Sequence, residues 1–288
     1  MSFLRIIHLQ ENPSLYNAAE MFVTPHEQFC CSLMQKILRK NDDVYIILET
    51  DLFNKINKIK AVFSYNGYTM NLCLPSATKK IQAELKKFLG LRTLYCISAK
   101  TSWAEIIKKI IFELSSSLPD EERNMSLLKS SSYPTKNDFK QLQNENCKII
   151  KCTKNEADAL MHLQLSYISE EVLPSWKAVM PSSERINLDK SLDSQIVFAL
   201  EKNNELVSKV QTNAITKNFI QIGGVYTQKE ERKNGYAGIL INKLLEYSHE
   251  QKKAAVLYVR KENVAALSLY QKEGFSPSGE YSIFYYKK

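Results

Sequence analysis

Apolar and polar positions over residues 146–288 follow two periods. Runs rich in β-branched and aromatic residues at 147–152, 194–201, 205–216, 219–227, 255–259 and 281–286 read as strands. Lys202-Asn203-Asn204 joins the second and third runs and is a turn-type sequence, so these two predict a strand pair. From Asn155 the apolar positions Leu160, Met161, Leu163, Leu165 and Ile168 recur near the helical period. Glu156 and Asp158 fall in the first turn of that helix, where negative charge meets the positive end of the dipole. Residues 172–181 read as a loop with two prolines and Trp176, followed by a short helix around Arg185. Tyr236 to Glu250 is an amphipathic run and predicts a second long helix.

The first half follows a similar order. Residues 44–48, 59–65 and 68–74 read as strands, and 77–89 as a helix with Ile81, Leu85 and Phe88 on its apolar side. A strand at 94–97 and a helix at about 102–114 follow. Serines, prolines and charges then dominate from Ser115 to Pro134, which marks the domain boundary. A short strand at 125–129 is expected to close the first domain, and a connecting helix is expected at 138–144. The division expected is a first domain over 1–132, a linker over 133–145 and a second domain over 146–288.

Composition narrows the partners. At 288 residues and 44% apolar, the chain suits two packed domains. Its 39 basic and 31 acidic residues leave a net +8, which favours anionic partners such as phosphates. Lys and Glu are interleaved without a basic run of five or six, so nucleic acid is not an expected partner. The six cysteines form no CxxC pair and only four histidines are present, so no metal is expected. Cys73 and Cys96 sit within apolar runs and read as small buried hydrophobes, which fits a reducing, cytoplasmic setting. The first 20 residues lack a signal-peptide core, and no apolar run approaches the roughly 20 residues that a membrane span needs.

The chemistry concentrates at Arg232-Lys233-Asn234-Gly235-Tyr236-Ala237. This stretch lies between the strand at 219–227 and the helix at 236–250. The first amides of a helix have no partners within it, and the helix dipole makes that end positive. A pyrophosphate can rest there, cradled by amides from about Lys233 to Gly238. Gly235 brings no Cβ into the approach. Gly223 and Gly224 are costly inside a strand, and they mark a bulge or a close backbone approach.

Further motifs follow in order: Val256-Leu257-Tyr258-Val259, then Glu262-Asn263, then Leu267-Ser268-Leu269-Tyr270, then Glu273-Gly274-Phe275. Together with the loop, they make residues of about 147 to 288 resemble the GNAT superfamily of coenzyme-A-dependent N-acyltransferases. Arg232 through Ala237 fits that family's (Gln/Arg)-x-x-Gly-x-(Gly/Ala) loop. The resemblance implies an α/β (α+β) fold with a mixed, mostly antiparallel central sheet flanked by helices. It implies acetyl-CoA as cosubstrate, a primary amine as acceptor, and direct attack in a ternary complex. The pantetheine arm would lie along the strand at Val225, Tyr226 and Thr227, near Asn263, which also suits a helix N-cap. Its pyrophosphate would rest on Arg232, Lys233, Asn234, Gly235, Tyr236, Ala237 and Gly238. Tyr270 would bond or protonate the departing thiolate.

The base is less legible. The strand position where the histone-acetylating branch carries a glutamate holds Gln221, which cannot accept a proton at neutral pH but can hold a water. Glu201, Glu230, Tyr226 and an ordered water are substitutes. The acceptor pocket is expected from Tyr167, Glu170, Glu171, Trp176 and Gln221, with Tyr281 from the last strand. Two other readings stay open: a coenzyme-A-binding sensor without turnover, and transfer of a longer acyl group. The first half resembles a degenerate copy of the same fold, or an unrelated α/β cap. Only Pro75-Ser76 stands between its strand and helix, with no basic-x-x-Gly-x-Gly loop, so no coenzyme A is expected there. It would serve as scaffold, cap or homodimer surface.

Overall fold

The computed structural model describes residues 2–51, 57–130 and 146–287. The linker expected over 133–145, with its helix at 138–144, lies outside them. The chain divides into two compact units, Met1–Leu127 with Gly279–Lys288, and Leu128–Ser278. The last ten residues thus belong to the first unit, where the sequence division had placed them in the second domain.

The first unit runs β1 (Ser2–His8), α1 (Tyr16–Val23), α2 (Cys31–Leu38), β2 (Val44–Asp51), β3 (Asn57–Tyr65), β4 (Thr69–Cys73), α3 (Lys79–Leu89), β5 (Cys96–Lys100), α4 (Thr101–Ser115) and β6 (Glu121–Ser130), the strand expected at 125–129, whose last three residues fall in the second unit. β1 to β4 pair antiparallel in sequence order. β4 then pairs with β5 in parallel, Thr69 opposite Cys96. The final strand, β12 (Phe275–Tyr285), returns to pair antiparallel with β5, Tyr281 opposite Lys100 and Tyr285 opposite Cys96. That ladder is the physical reason why residues from Gly279 onward join this unit. Ile46, Ile47, Leu48, Phe63, Met70, Leu85, Ile97 and Ile107 fill its core.

The second unit runs β7 (Cys147–Lys151), α5 (Ala157–Tyr167), α6 (Pro181–Ser194), β8 (Val197–Lys202), β9 (Glu205–Ile215), β10 (Phe219–Thr227), α7 (Tyr236–Glu250), β11 (Ala254–Arg260) and α8 (Val264–Lys272). β7 to β10 pair antiparallel, and β10 pairs with β11 in parallel. The first unit therefore repeats the strand order of the second: an antiparallel run, then one parallel pair with a helix between its strands. The parallel pair forces a helical crossover, because its strands cannot be joined by a tight turn.

α7 buries Ile239, Leu240, Ile241, Leu244 and Leu245 against Val210, Ile222, Leu257 and Val259. Each such side chain contributes about 1.5–3 kcal/mol on burial. On another side, α5 and α6 bury Leu160, Leu163 and Leu188 against Val197, Ala199 and Leu206. These two layers fix the ends of β10, where the sheet opens.

Candidate active site

The opening begins at the two glycines. Parallel pairing of β10 with β11 runs from Phe219 opposite Ala254 to Ile222 opposite Leu257, and stops there. On its other edge β10 shifts register against β9 between Gly223 and Tyr226: three steps along β10 match two along β9, from Gln211 to Lys209. This is a one-residue bulge. Gly224 adopts φ +58. A Cβ on Gly223 would lie 2.0 Å from Asn213 Nδ2, and one on Gly224 would lie 2.6 Å from Gln211 Cγ. The side chains of β9 thus lie against the bulge, and glycine is the residue that fits beneath them.

Past the bulge, Val225, Tyr226 and Thr227 line a cleft of about 510 Å³. Arg232, Lys233, Gly235, Tyr236, Ala237 and Gly238 line its loop side, and Asn263, Ala266 and Leu269 another wall. The helix entering from the loop, α7, has Gly235 as its N-cap at φ +79 and no side-chain cap. Its positive end therefore faces the cleft with backbone donors. This fits a pyrophosphate, and the edge of β10 that β11 leaves past Ile222 fits an extended arm.

Loop side chains are turned to bracing. Arg232 donates through Nε to the Thr227 carbonyl at 3.1 Å and through Nη2 to Glu170 at 2.9 Å. Asn234 donates to Glu231 at 3.2 Å, and Lys202 donates to that same carboxylate at 2.8 Å. Asn234 itself does not line the cleft, although its partner Glu231 does. Lys233 lines the cleft in a left-handed conformation, φ +70. Asn263 caps α8, its Oδ1 accepting from the Ala266 N–H at 3.1 Å.

Tyr270, on α8, is 8% exposed, its ring 6.0 Å from that of Phe275. Burial first, then the neighbouring Tyr167 and Glu171, push its phenol far above the ordinary tyrosine value. The hydroxyl stays protonated at neutral pH, and Tyr270 itself is not among the residues that line the cleft, although Leu269 before it is. Tyr167, at the end of α5, accepts through its hydroxyl from the Gly224 N–H at 3.3 Å.

A single wide turn, Ile168–Val172, follows α5 and is closed by the Leu173 N–H donating to the Ile168 carbonyl at 2.9 Å. It directs two adjacent carboxylates to different partners. Glu170 accepts from Arg232, from the Tyr226 hydroxyl at 2.8 Å and from Lys229 at 3.4 Å. Burial pushes the Glu170 carboxyl up, but the bonds from Arg232 and Tyr226 outweigh it, and the net direction is down. Glu170 therefore serves as a clamp on the loop, not as an open negative wall for a cation. Glu171 lines the cleft, and its carbonyl accepts from Arg260 Nη2, at the end of β11, at 2.8 Å.

The other expected acceptor residues disperse. Gln221 is 7% exposed on β10, and its buried Oε1 has no hydrogen-bond partner among the described residues. Trp176 lies in a turn closed by the Lys177 N–H donating to the Pro174 carbonyl, half-buried and outside the cleft lining. Tyr281 requires correction: it belongs to the first unit, 5% exposed, its hydroxyl 2.9 Å from that of Ser98. The strand run read at 281–286 as an acceptor wall is the ladder partner of β5 instead. Of the alternative bases, Glu201 pairs with Lys148 at 2.7 Å and Glu230 is exposed.

Sequence reasoning missed one group entirely. Lys209 on β9 is 0% exposed, donates to Gln211 Oε1 at 3.3 Å, and holds its Nζ 4.9 Å from the Tyr167 ring centre. Burial pulls its pKa down to about 7 against partial offsets from Cys152 and Glu184. Gln211 in turn donates to Asn213 at 3.3 Å, so a polar file runs along β9 beside the glycine bulge. Val207-Ser208-Lys209-Val210 reads as ordinary strand alternation with a solvated lysine, and only the helices packed over it reveal the burial.

Among the described residues no group of three or more His, Cys, Asp and Glu is placed to hold a metal. No helix among them is long and apolar enough to cross a membrane.

Residues 158–275 match the family model "Acetyltransferase (GNAT) family". No curated protein matches the chain. A Drosophila melanogaster protein of solved structure is 9% identical, with 99% of each chain covered and a TM-score of 0.66. A GNAT-family acetyltransferase from Colwellia psychrerythraea is 12% identical, with 99% of each chain covered and a TM-score of 0.58. A GCN5-related N-acetyltransferase from Kribbella flavida is 11% identical over 80% of this chain and 88% of its own, with a TM-score of 0.52. At such identities the likeness to these structures is one of fold. The family match over residues 158–275, the loop at the start of α7 and the opening of β10 from β11 agree: this stretch of the second unit is similar to the GNAT acetyltransferase family, whose general chemistry is acyl transfer.

Proposed function

We propose that the chain is an acetyl-CoA-dependent N-acetyltransferase that acts on a primary amine by direct attack in a ternary complex. The observation that carries this reading is the pairing of an uncapped helix end with a strand edge released at a glycine bulge, both on one cleft. Acetyl-CoA supplies an acetyl group activated as a thioester. Backbone amides at the start of α7 would hold its pyrophosphate, with Arg232 fixing the loop in shape. Val225, Tyr226 and Thr227 would align the extended arm along β10. Tyr270, kept neutral by burial, would bond the departing sulfur.

The test is calorimetry with acetyl-CoA, followed by thiol release across a panel of amines. Binding in the micromolar range with turnover, and turnover cut at least ~10-fold in Tyr270→Phe, is the expected result. Absence of binding would refute the reading. Gln221, which is not a base, favours a second reading in which coenzyme A binds without transfer, and binding with no thiol release on any amine would select it.

A further inference from the structure

We propose that the first unit carries a binding site of its own, for an organic anion with an apolar body, such as a fatty-acid carboxylate or an alkyl phosphate. β3 pairs with β4 only from Val62 to Tyr65, with Val62 opposite Cys73. β4 ends there, and Pro75, which has no N–H to extend a ladder, lies in the short connection to α3. The edge of β3 that β4 leaves before Val62 thus stands beside the start of α3, and a cleft of about 690 Å³ opens there. Its described lining residues all belong to the first unit. It is larger than the 510 Å³ cleft of the second unit and lies within the roughly 300–1,000 Å³ of small-molecule sites.

The cleft joins two chemistries. Leu4 from β1, Phe22 from α1, Ile59 from β3 and Ile81 from α3 give it an apolar part. Leu4, Phe22 and Ile59 are only half-buried, so an apolar ligand would remove further surface from water. Lys58 and Lys60 from β3 and Lys79 and Lys80 from the first turn of α3 supply four ammonium groups. Glu49 is the only carboxylate among the described lining residues. It accepts from Ser2 at 2.8 Å and pairs with Lys60 at 2.6 Å, which neutralises one of the four. Lys58, Lys79 and Lys80 are exposed, and their side chains form no ion pair among the described residues. Three positive charges therefore border an apolar cleft with no counter-charge of their own. The end of α3 is not what holds the anion, because Thr78 Oγ1 already accepts from the Ile81 N–H at 3.4 Å. The side-chain ammonium groups do so. Each is a point charge and not a planar fork, so carboxylate and phosphate heads both fit.

Dodecanoate and dodecyl phosphate are titrated into the full chain by calorimetry, below their micellar concentrations. Dodecyltrimethylammonium supplies the same body with the opposite charge, and inorganic phosphate supplies a head without a body. Saturable binding of at least one of the two anions is expected, and the one that binds identifies the preferred head. Affinity should rise by about fourfold for each methylene added between octyl and dodecyl chains. The triple variant Lys58→Ala, Lys79→Ala, Lys80→Ala should bind about tenfold more weakly, the combined worth of three exposed ion pairs. Its Tm and its acetyl-CoA affinity should match the parent's, since these side chains are exposed and lie outside the second unit. A charge-matched control, Lys190→Ala, Lys252→Ala, Lys272→Ala, removes exposed lysines of the second unit and should bind as the parent does. The proposal is overturned by no saturable binding of either anion, or by equal affinity for dodecyltrimethylammonium or for inorganic phosphate. Undiminished binding in the first triple variant, or an equal loss in both, overturns it as well. Acetyl-CoA affinity is read separately, so failure here leaves the transfer reading standing, and failure there leaves this one.

Discussion

Lys209 provides the most direct measurement of the buried polar file. Its amine is fully enclosed and its pKa falls from 10.5 to about 7, with Cys152, Glu184, Tyr167 and Gln211 around it. Burial also pushes the Cys152 thiol up to about 12, so this neighbour stays uncharged. In the unfolded chain Lys209 carries a proton up to pH 10.5, whereas in the fold it releases the proton above about pH 7. Between these values the unfolded state binds more protons, so the contribution to stability rises with pH, by up to about 1.4 kcal/mol per unit. Below pH 7 both states are protonated and the full penalty stands, on the order of 4–5 kcal/mol. Lys209→Met removes the charge at similar volume. At pH 7 it recovers about 4 kcal/mol of that penalty, and it leaves Gln211 Oε1 without its donor at a cost of about 1–3 kcal/mol. The variant should therefore be more stable by roughly 2 kcal/mol, or about 5 °C in Tm. Urea unfolding at pH 7 and pH 9.5 tests this. The parent should gain about 3 kcal/mol relative to the variant across that interval. Identical pH slopes for the two proteins would refute the argument that the fold holds a neutral amine at Lys209.

Three other substitutions probe the site. Gly235→Ala meets open space but disfavours φ +79 by about 1–2 kcal/mol; relaxation of the free loop away from that angle moves the cost onto acetyl-CoA binding, which should weaken roughly 5- to 30-fold by calorimetry with little change in Tm. Asn263→Ala removes the α8 cap and should lower stability by about 1 kcal/mol in urea unfolding. Glu170→Gln loosens Arg232 and should raise the KM for acetyl-CoA while leaving the KM for the amine unchanged, as steady-state kinetics would show.

The reach of the sequence follows from where its signals are local. β10 takes the bounds Phe219–Thr227 that its apolar run predicts, and α7 begins at Tyr236, directly after the glycine turn. The cleft-lining loop residues were legible because their job is done by the backbone, and backbone demands appear as glycines at fixed spacing. Asn234 joined that set by position alone, and its side chain bonds Glu231 instead of lining the cleft. α6 extends over Pro181–Ser194, much longer than the short helix expected around Arg185, because it buries only Leu188 and so carries little periodic signal. β1, α1 and α2 were not assigned at all, although Val23, Leu33, Met34 and Ile37 are buried in the first core. Tyr281 and Lys209 were misjudged or missed for a shared reason: each depends on what a distant segment places against it, Ser98 for one and the end of α5 for the other.

The two units show why one strand order does not guarantee one function. Each places a helix between parallel strands, α3 after β4 and α7 after β10. At α3 the N-cap is Thr78, whose hydroxyl accepts from the Ile81 N–H at 3.4 Å. That hydroxyl occupies a donor that an anion would need, and residues 74–78 between β4 and the helix hold no glycine. At α7 the N-cap is Gly235, which offers no acceptor of its own and turns the chain at φ +79. The exposed start of α7 leaves its main-chain donors to water, whose place a phosphate can take, whereas at α3 one hydroxyl already holds such a donor. That difference in a single capping position is why the proposed cosubstrate is expected at the second unit.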